Sequence, residues 1–441
     1  MKTKTLLLLA FPLLLTACGW GSGNDEYSFE SVSLDESDSI SASYSGGKQT
    51  LHAMFHVDLD TAEGQAYKKR IDAFNQVYAS TGLRVVPEFI NRNAGGTDYE
   101  TVLITKQMDG SLPDLITIDS PNCGRYADAE LIVDVSDAFS ESEVGDFLTL
   151  NTYQNRIYAV PVQESSAGFF YNKNIFRAAN IDVSAYTVEN PWTFEQFKEV
   201  CAKLKTYGTM PVDMRLDATG DETATYLLYS FIHAAGGKFL SDDGLTATGY
   251  FNSASSKRGF QFIKDLIDAE YTSYRIQPQD FFTGKASMYL SAGWTIPELD
   301  SKFPQQFPNR DSWGLLPYPK DVIRASATGS WSYAVTNNGV ENKTGAIELL
   351  KWMSSTNSCN TVAKATGMVP VRKSCETPQG EPEQMLFKQL EQTGIERPVT
   401  IGYPEFTLAF SNMIYKLRNN TVDAIIDSVT SSLQQGLDLL K

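Results

Sequence analysis

Apolar and polar positions alternate in short blocks along most of the chain, and several blocks have the pattern of buried strands. Residues 51–55 and 83–89 are largely apolar, and the second block is rich in Val. Residues 112–118 have the mostly apolar composition of a buried parallel strand. A fourth block, 158–162, contains a proline, which indicates a strand end or an edge strand. The pattern therefore predicts strands in all four blocks.

Helical periodicity separates the predicted strands. Thr193 and Gln196 form a capping box at the start of one helical stretch, and Gly82 can end the first one. The apolar stripes at helical spacing are formed by Tyr67, Ile71, Phe74 and Tyr78; by Phe197, Val200, Cys201 and Leu204; by Phe260, Ile263, Leu266 and Ile267; and by Val422, Ile425, Ile426, Val429, Leu433 and Leu437. This alternation of strands and helices predicts an α/β fold rather than an all-β sandwich.

The N-terminal residues have the pattern of a secretion signal. Two lysines precede an apolar run over residues 6–15, which is too short to span a bilayer but suits a signal core. The run ends in Leu-Thr-Ala-Cys-Gly at residues 15–19, which resembles the lipobox of bacterial lipoproteins. The resemblance implies that residues 1–17 are removed and that Cys18 carries two or more acyl chains, which hold a protein firmly at a membrane. An ordinary cleaved signal with an incidental cysteine is the alternative.

Residues 18–48 are predicted to form a disordered tether. Between residues 19 and 47 there is no Lys or Arg, acidic residues and Ser are frequent, and apolar side chains are sparse. Such a segment buries too little apolar surface to offset the entropy lost on ordering it. A flexible segment of about 30 residues has a typical end-to-end distance of roughly 30 Å. A tether of this length favours the surface of a Gram-positive cell over a periplasm.

Composition restricts the class of partner. Of the 441 residues, 42% are hydrophobic and 12% are aromatic, and the net charge is −16. The chain beyond the tether is long enough for two domains, and no later apolar run has the length of a membrane span. The acidity argues against nucleic acid and anionic lipid as partners. Apart from Cys18, four cysteines allow three pairings; Cys359 and Cys375 can close a loop, and buried free thiols are the alternative.

Five groups of residues follow one another in an order that is typical of a known family. They are 112–119 (LPDLITID) with 126–128 (YAD), 158–161 (YAVP) with 170–176 (FYNKNIF) and 191–197 (PWTFEQF), 282–288 (FTGKASM) with 293–294 (GW), 317–319 (PYP) with Gly329 and a helix ending at Trp352, and 367–373 (GMVPVRK). Together they resemble family 1 of the extracellular solute-binding proteins, which includes the maltodextrin-binding proteins. The resemblance covers nearly the whole chain from about residue 50 onward.

The resemblance implies a two-lobed α/β architecture, the type II fold of periplasmic binding proteins, with a ligand cleft between the lobes. The chain would cross between lobes near Val162, Gly329 and Met368. The predicted N-terminal lobe comprises residues 49–162 and 330–368, and the predicted C-terminal lobe comprises 163–329 and 369–441. Closure of such lobes about a hinge, with the ligand between them, would produce the form that a membrane importer recognises.

Aromatic residues near the predicted crossings are the first candidates for ligand contact. A sugar presents flat C–H faces and a rim of hydroxyl groups, so its site requires aromatic faces and polar side chains. Trp294 lies where the family often has a stacking Trp, and a core indole is the alternative. Trp331 and Tyr171 follow two of the predicted crossings. Phe410 lies in a region that supplies a stacking ring in the maltodextrin binders, although there the ring belongs to a Trp.

Polar candidates lie at the ends of predicted strands. Asp119 and Ser120 are at the carboxyl end of one strand, where α/β folds bind ligands. Glu164 lies at the first crossing, near the place where the family uses a carboxylate. Asp58 follows the first strand and is a candidate ligand residue, with capping of the next helix as the alternative. For Asp60 we expect the capping role.

The sequence contains no recognisable catalytic or metal-binding pattern. There are three histidines and no G-x-S-x-G, P-loop or GxGxxG motif, so we predict no catalytic residues, metal or cofactor. We expect a monomeric, non-enzymatic lipoprotein at the bacterial cell membrane that captures a sugar or oligosaccharide and delivers it to the permease subunits of an ABC importer. The alternative ligands are a polyamine, a phosphorylated polyol or a metal complex, and the alternative class is a secreted glycan-active enzyme.

Overall fold

The computed structural model describes residues 29–34, 38, 44–91, 97–216, 222–275, 279–329, 331–340 and 343–441. The strands are β1 (Gln49–Phe55), β2 (Leu83–Phe89), β3 (Leu115–Asp119), β4 (Asn151–Tyr153), β5 (Arg156–Pro161), β6 (Ala167–Asn172), β7 (Met210–Asp213), β8 (Ala286–Ala292), β9 (Trp313–Leu316), β10 (Ser326–Ala327), β11 (Trp331–Val335) and β12 (Gly394–Ile395). All four strands predicted from apolar blocks are confirmed, with ends that differ by up to three residues.

Fifteen α-helices connect and cover these strands in the described part of the chain. They are α1 (Ala62–Val77), α2 (Thr97–Asp109), α3 (Cys123–Asp128), α4 (Glu141–Asp146), α5 (Lys173–Ala178), α6 (Phe194–Tyr207), α7 (Glu222–Ala234), α8 (Ala254–Asp268), α9 (Gln279–Phe282), α10 (Thr295–Ser301), α11 (Lys343–Met353), α12 (Thr356–Thr366), α13 (Glu381–Thr393), α14 (Tyr403–Lys416) and α15 (Val422–Asp438). Within the described ranges, no helix combines the length and the apolar character that a membrane crossing requires.

Two mixed sheets define two lobes. The larger sheet has the order β2-β1-β3-β11-β5-β4, and the smaller one has the order β7-β8-β6-β9. We call the parts built on these sheets the N-terminal lobe and the C-terminal lobe. Strand β1 is parallel to β2 and β3, whereas β11 runs antiparallel between β3 and β5. Because β11 is far from β3 and β5 in sequence, the chain must leave the N-terminal lobe, build the second sheet and return.

Each lobe has its own apolar core, and the helical stripes predicted from sequence point into it. Tyr67 and Phe74 of α1 pack with Leu349 of α11 in the N-terminal lobe. Phe197 of α6 and Phe260 of α8 belong to the core of the C-terminal lobe, together with the buried face of α15. Separate cores allow each lobe to move as a unit, and the two-lobed α/β prediction is confirmed.

Local sequence signals determine where several helices begin and end. The Thr193–Gln196 capping box is present at the start of α6, and Gly82 adopts a left-handed conformation with φ of 78° after α1. The expected capping of α1 by Asp60 is wrong. Thr61 caps this helix instead, because its hydroxyl oxygen accepts a hydrogen bond from the backbone N–H of Gly64 at 2.9 Å.

The last passage between the lobes comes later than the sequence placed it. Val371 is buried in the core of the N-terminal lobe, and Arg372 donates to Asp146 of α4 at 3.0 Å. The chain therefore stays on the N-terminal lobe until about Cys375 and reaches the C-terminal lobe with α13. The thiols of Cys359 and Cys375 are free and lie 3.7 Å from the carbonyl oxygens of Ser354 and Thr356.

Asp38 departs from the expectation of a disordered tether. Its carboxylate binds the buried guanidinium of Arg70 with two hydrogen bonds, of 3.0 and 2.7 Å, and accepts a third from Asn357 at 2.8 Å. A buried guanidinium requires an anionic partner, and the sequence contains no sign that this one acid among many supplies it. Cys18 and the signal residues lie outside the described part of the chain.

We expect the substitution Asp38→Ala to lower the free energy of unfolding by about 3–5 kcal/mol, because it leaves the Arg70 charge buried without its main partner. Urea unfolding of the full chain measures the change. The matched control is Glu30→Ala, which removes an exposed ion pair with Lys68 at 3.6 Å and should change stability by less than about 1 kcal/mol. Equal effects of the two substitutions would contradict the docking of Asp38.

Candidate functional site

A cavity of about 740 Å³ lies between the two lobes, within the range of roughly 300–1,000 Å³ that is typical of small-molecule sites. The N-terminal lobe contributes His56, Asp60, Glu63, Asp119 and Trp331 to its lining. The C-terminal lobe contributes Glu222, Tyr226, Trp294, Glu298, Lys302 and Arg397. The connecting segments contribute Gln163, Ser165, Gly329 and Met368. The lining therefore comes from both lobes and from the chain segments between them.

The larger sheet brings two predicted site residues together. Asp119 is the last residue of β3, and Trp331 is the first residue of the antiparallel strand β11. The two residues are direct neighbours in the sheet register, so both lie at the edge that faces the cavity. His56, which follows β1, lies at the same edge. This arrangement agrees with the general position of ligands at the carboxyl ends of parallel strands.

One face of the Trp331 indole is occupied by the imidazole of His56. The ring centroids are 3.5 Å apart and the planes differ by 3°. His56 is held in turn by Thr117, whose hydroxyl lies 3.0 Å from Nδ1 and accepts from the backbone N–H. Trp331 is only 8% exposed. It therefore contributes little exposed surface to the cavity.

Trp294 provides the exposed aromatic surface of the cavity. It follows β8 at the start of α10 and is 40% exposed. Its ring centroid lies 5.8 Å from that of the buried Tyr226, with planes at 41°. The preceding residue must be small, because a Cβ on Gly293 would overlap the carbonyl oxygen of Gly367 in the opposite lobe. The core alternative for this indole does not fit its exposure.

A charged cluster connects the two walls of the cavity. The guanidinium of Arg397 donates to both carboxylate oxygens of Asp119, at 2.9 and 2.6 Å, and to Glu222 at 2.6 Å. Glu222 also accepts hydrogen bonds from the hydroxyl groups of Tyr403 and Thr407. Arg397 and Glu222 belong to the C-terminal lobe and Asp119 to the N-terminal lobe. The cluster therefore spans the cavity.

Burial and neighbouring charges shift the titration of this cluster. Burial raises the pKa of Glu222, and the Asp119 charge adds to this effect while Arg397 opposes it. Burial disfavours the charged form of Arg397, but the Asp119 carboxylate and the other anionic neighbours raise its pKa well above the ordinary value. Arg397 is therefore a permanent cation that is shared by two carboxyl groups.

Glu164 lies outside the cavity lining, in the hinge. One carboxylate oxygen accepts hydrogen bonds from the backbone N–H groups of Ser165 and Gly329, at 3.0 and 2.8 Å, and from the hydroxyl of Thr328 at 3.0 Å. The backbone of Glu164 exchanges two hydrogen bonds with Val369. The residue thus joins all three chain segments where they run side by side, near the positions predicted for the crossings.

The protonation of Glu164 is sensitive to this environment. Burial, together with the nearby charge of Glu396, raises its pKa to about 7, against the opposing effect of the hydrogen bonds from Gly329, Ser165 and Thr328. The second carboxylate oxygen accepts from Thr149 at 3.1 Å. The Glu164 carboxyl group therefore accepts four hydrogen bonds and holds the hinge segments together. It does not line the cavity.

The remaining predicted site residues lie apart from the cavity. Ser120 is half-buried near Gly329, and Asp58 accepts a hydrogen bond from Asn91 at 2.6 Å. Tyr171 is buried against Phe176 and borders a different depression of the C-terminal lobe. Phe410 is fully buried on the core face of α14. The structure thus brings Asp119, Trp294 and Trp331 together and places the others elsewhere.

Several lining residues were missed by sequence reasoning. Gln163 adjoins the predicted crossing and donates to Glu63 at 3.0 Å. Glu222 and Tyr226 begin an apolar helix, and a charged residue at such a helix end was the available signal. Arg397 lies in an irregular segment that carries no recognisable pattern. Within the described residues, no group of three or more His, Cys, Asp or Glu side chains is arranged to hold a metal ion.

The chain belongs to the family of bacterial extracellular solute-binding proteins, whose sequence pattern matches residues 69–385. Two relatives, from Brucella abortus strain 2308 and Brucella suis strain 1330, are each named as a binding protein. Each is 25% identical over 252 residues, which is 54% of this chain. The matched part covers 56% of each relative, so the chain spans about half the length of the relatives it matches. The membership confirms the resemblance found in the sequence motifs.

Solved structures of several binding proteins share the fold. The cyclic α-maltosyl-1,6-maltose binding protein of Arthrobacter globiformis has a TM-score of 0.75 and 22% identity, over 89% of this chain and 100% of that one. The sugar-binding protein MalE of Xanthomonas citri has a TM-score of 0.74 and 17% identity, over 89% and 98%. UgpB of Mycobacterium tuberculosis, in complex with glycerophosphocholine, has values of 0.72 and 17%, over 89% and 100%. At these identities the likeness shows the fold.

We expect Glu164→Gln to preserve the hinge and to remove its pH dependence. The amide oxygen can accept from Ser165, Thr328 and Gly329, and the amide nitrogen can donate to the hydroxyl of Thr149. Because the folded pKa of about 7 lies above the ordinary 4.5, the native carboxyl group stabilises the fold below pH 4.5. This contribution is lost as the pH rises to about 7.

The measurement is urea unfolding of both proteins between pH 4 and pH 8. The free energy of unfolding of the native protein, relative to Glu164→Gln, should fall by about 3 kcal/mol across this range, at 1.36 kcal/mol per pKa unit. A difference that is constant, or that rises with pH, would show that Glu164 is ionised throughout.

Proposed function

We propose that this chain is the solute-binding component of an ABC importer and that its ligand is a neutral sugar or oligosaccharide. The observation that carries the proposal is the composition of the cavity walls. The exposed indole of Trp294 lines the same cavity as the polar side chains of Gln163, Asp119 and Glu222. An aromatic face beside hydrogen-bonding groups matches the apolar faces and hydroxyl rims of a sugar ring.

The charges of the cavity favour a neutral ligand over a phosphorylated one. Its two long cations both have carboxylate partners: Arg397 binds Asp119 and Glu222, and Lys302 binds Glu298 at 3.0 Å. A phosphate group would have to compete with these carboxylates for the cations. The phosphorylated polyol is therefore the weaker alternative, although a protein of the same fold was solved with glycerophosphocholine.

A polyamine or another cationic ligand is the weaker alternative for a related reason. Three of the five carboxylates that line the cavity already accept hydrogen bonds from buried or half-buried protein groups. Asp119 accepts from Arg397, Glu222 from Arg397, Tyr403 and Thr407, and Glu63 from Tyr67 and Gln163. A metal complex would likewise have to displace these partners. The internal pairing of charges is the property expected of a site that selects by shape and hydrogen bonding.

The names of similar solved structures support a carbohydrate. The Arthrobacter globiformis protein is named for a cyclic maltosyl-maltose, and the Xanthomonas citri protein for sugar binding. A secreted glycan-active enzyme is the alternative from another class. We propose no catalysis, because Asp119 and Glu222 share one guanidinium and neither is positioned as a free acid or nucleophile.

A thermal-shift panel tests the proposed function. The native protein is heated with glucose, maltose, maltotriose, maltotetraose, glycerol 3-phosphate and spermidine, each in large excess. A ligand at about 100 times its dissociation constant stabilises the folded state by roughly 2.7 kcal/mol. Stabilisation by at least one neutral sugar supports the proposal, whereas stabilisation by the phosphate or the amine alone contradicts it. Chromatography of the incubated oligosaccharides would reveal hydrolysis and thereby an enzyme.

We expect Trp294→Ala to weaken binding of the stabilising sugar about thirtyfold. If the contact buries about 80 Å², it contributes roughly 2 kcal/mol at 25 cal/mol per Å², and each 1.4 kcal/mol is a factor of ten in affinity. Trp294→Phe should recover part of the loss because it restores an aromatic face. Isothermal titration calorimetry measures the affinities, and urea unfolding of the ligand-free variants should show a much smaller effect than truncation of a buried Trp.

A matched control for this substitution is Trp192→Ala. Trp192 belongs to the same lobe and stacks on Tyr186 with ring centroids 3.9 Å apart, and it does not line the cavity. Its loss should lower stability without changing affinity. If Trp294→Ala behaves in the same way, Trp294 is not part of the site.

We further infer that the mature protein is a monomer held at the outer face of the cell membrane by lipid on Cys18, with a Gram-positive surface favoured. The lipobox-like residues 15–19 after a signal core support the anchor. The predicted lobe boundaries at residues 162, 329 and 368 remain part of this proposal, with the last passage revised by the contacts of Val371 and Arg372.

The anchor gives a direct prediction. The native protein should partition into the membrane fraction, and mass spectrometry should find an acylated Cys18 as its first residue. Cys18→Ala should release the protein into the soluble fraction, while its ligand affinity should stay unchanged because the cavity residues all lie beyond residue 55. An unmodified N-terminus upstream of residue 18 in the native protein would exclude lipidation.

A further inference from the structure

Arg397 connects the two lobes at the cavity. We propose that Arg397 couples ligand capture to lobe closure: it binds Asp119 of the opposite lobe and donates its Nε–H to a neutral oxygen of the ligand. The second half of this inference rests on the proposed function. The first half concerns the ligand-free protein and can be tested without any ligand.

The C-terminal lobe orients the guanidinium by itself. Arg397 follows β12 and precedes α14, and its Nη1 donates to Glu222 at 2.6 Å and to the hydroxyl of Tyr403 at 3.3 Å. Thr407 donates to the other oxygen of Glu222 at 2.7 Å. All four residues lie in one lobe. These contacts therefore persist whether the lobes are open or closed, and the guanidinium is ready for a partner from the other side.

That partner is Asp119, at the end of β3 in the N-terminal lobe. Its two oxygens accept from Nη1 and Nη2 of Arg397 at 2.9 and 2.6 Å, and both residues are buried. A two-point contact between a planar guanidinium and a carboxylate requires one relative orientation of the two groups. Because the partners belong to different lobes, this contact reports and stabilises one relative position of the lobes.

The contact adjusts the equilibrium between open and closed forms without locking it. Closure removes Asp119 from water, and this desolvation offsets much of its attraction to a buried cation. The attraction between Arg397 and Asp119 is also weakened, because Glu222 already neutralises part of the Arg397 charge. A cross-lobe pair of this kind leaves the two forms close in free energy, so additional contacts to a ligand can shift the population toward closure.

The Nε–H group of Arg397 is the donor that we assign to the ligand. Among the described residues, Nε is buried and has no hydrogen-bond partner, which is an unfavourable state for an N–H group. Gly329 adjoins this side of the guanidinium and lines the cavity: a Cβ at this residue would lie 3.4 Å from Nε and 3.3 Å from Nη2. Because Gly329 has no side chain, this residue places no Cβ between Nε and the hydroxyl of Ser120, which lies 3.5 Å from the same Cβ position.

The chemistry of this donor selects the type of acceptor. Two carboxylates already neutralise the Arg397 charge, so an anionic oxygen at Nε would be a third negative neighbour in a buried place. A hydroxyl or ring oxygen accepts the N–H without adding charge. The ligand oxygen that completes the guanidinium is therefore neutral, which agrees with the sugar of the proposed function.

The closure half is tested by small-angle scattering of the ligand-free full chain. Arg397→Gln and Asp119→Asn should each give a larger radius of gyration than the native protein, because each removes the cross-lobe ion pair. The matched control is Arg70→Gln, which breaks an equally buried two-point pair with Asp38 within the N-terminal lobe. It should lower the unfolding midpoint and leave the radius unchanged. A native radius in Arg397→Gln would overturn the coupling.

The ligand half is tested with Arg397→Lys and maltotriose as the probe. Lysine keeps a cation for Asp119 and Glu222 but has no group equivalent to Nε–H. The scattering radius should stay closer to the native value than that of Arg397→Gln, while calorimetry should show maltotriose binding weakened by at least tenfold. Native affinity in Arg397→Lys would overturn the Nε contact. Failure of the native protein to bind maltotriose would also overturn it for this sugar, with the scattering result still deciding the closure half.

Discussion

The relative position of the two lobes depends on the carboxyl group of Glu164, which binds the segments that connect them. It accepts hydrogen bonds from Ser165, Thr328 and Gly329, and the backbone of the same residue pairs with Val369. Because the lobes have separate cores, their relative position depends on the segments between them and on direct contacts such as the Asp119–Arg397 pair. One buried group that gathers these segments makes the hinge a defined axis, because none of them can shift without breaking hydrogen bonds that buried groups require.

The cavity lies between the lobes beside this hinge, and its main property is the pairing of charged side chains in its walls. The walls carry several charges, and those at the centre are paired within the protein: Arg397 lies between Asp119 and Glu222, and Glu63 accepts from Tyr67 and Gln163. A site with unpaired charge attracts any counter-ion, whereas a site with internally paired groups discriminates by the geometry of hydrogen bonds and by contact with apolar faces. Such pairing explains how this architecture can be directed to a particular chemistry.

Sequence patterns predicted the elements well because those patterns act locally. The Thr193–Gln196 cap, the glycine after α1 and the apolar stripes depend on near neighbours in the chain. The site was only partly predictable. Strand ends and family motifs identified Asp119 and Trp294 as candidates, and both line the cavity, but the Asp119–Arg397 pair joins residues 278 positions apart. Phe410 was proposed as a ligand contact from its position in the family, but it lies on the apolar face of α14 and is buried in the core. Its place on an apolar helical stripe was the better guide.

The uneven exposure of the tryptophans has an optical consequence. Of the five described tryptophans, Trp294 is the one with a large exposed surface, whereas Trp331 is stacked on His56 and Trp313 is buried in the core. Indole emission shifts to shorter wavelength when the water beside the ring is replaced by an apolar or sugar surface. Occupation of the cleft therefore changes the surroundings of the most exposed of the described indoles. The protein carries its own label-free spectroscopic reporter, located at the place where its two lobes meet.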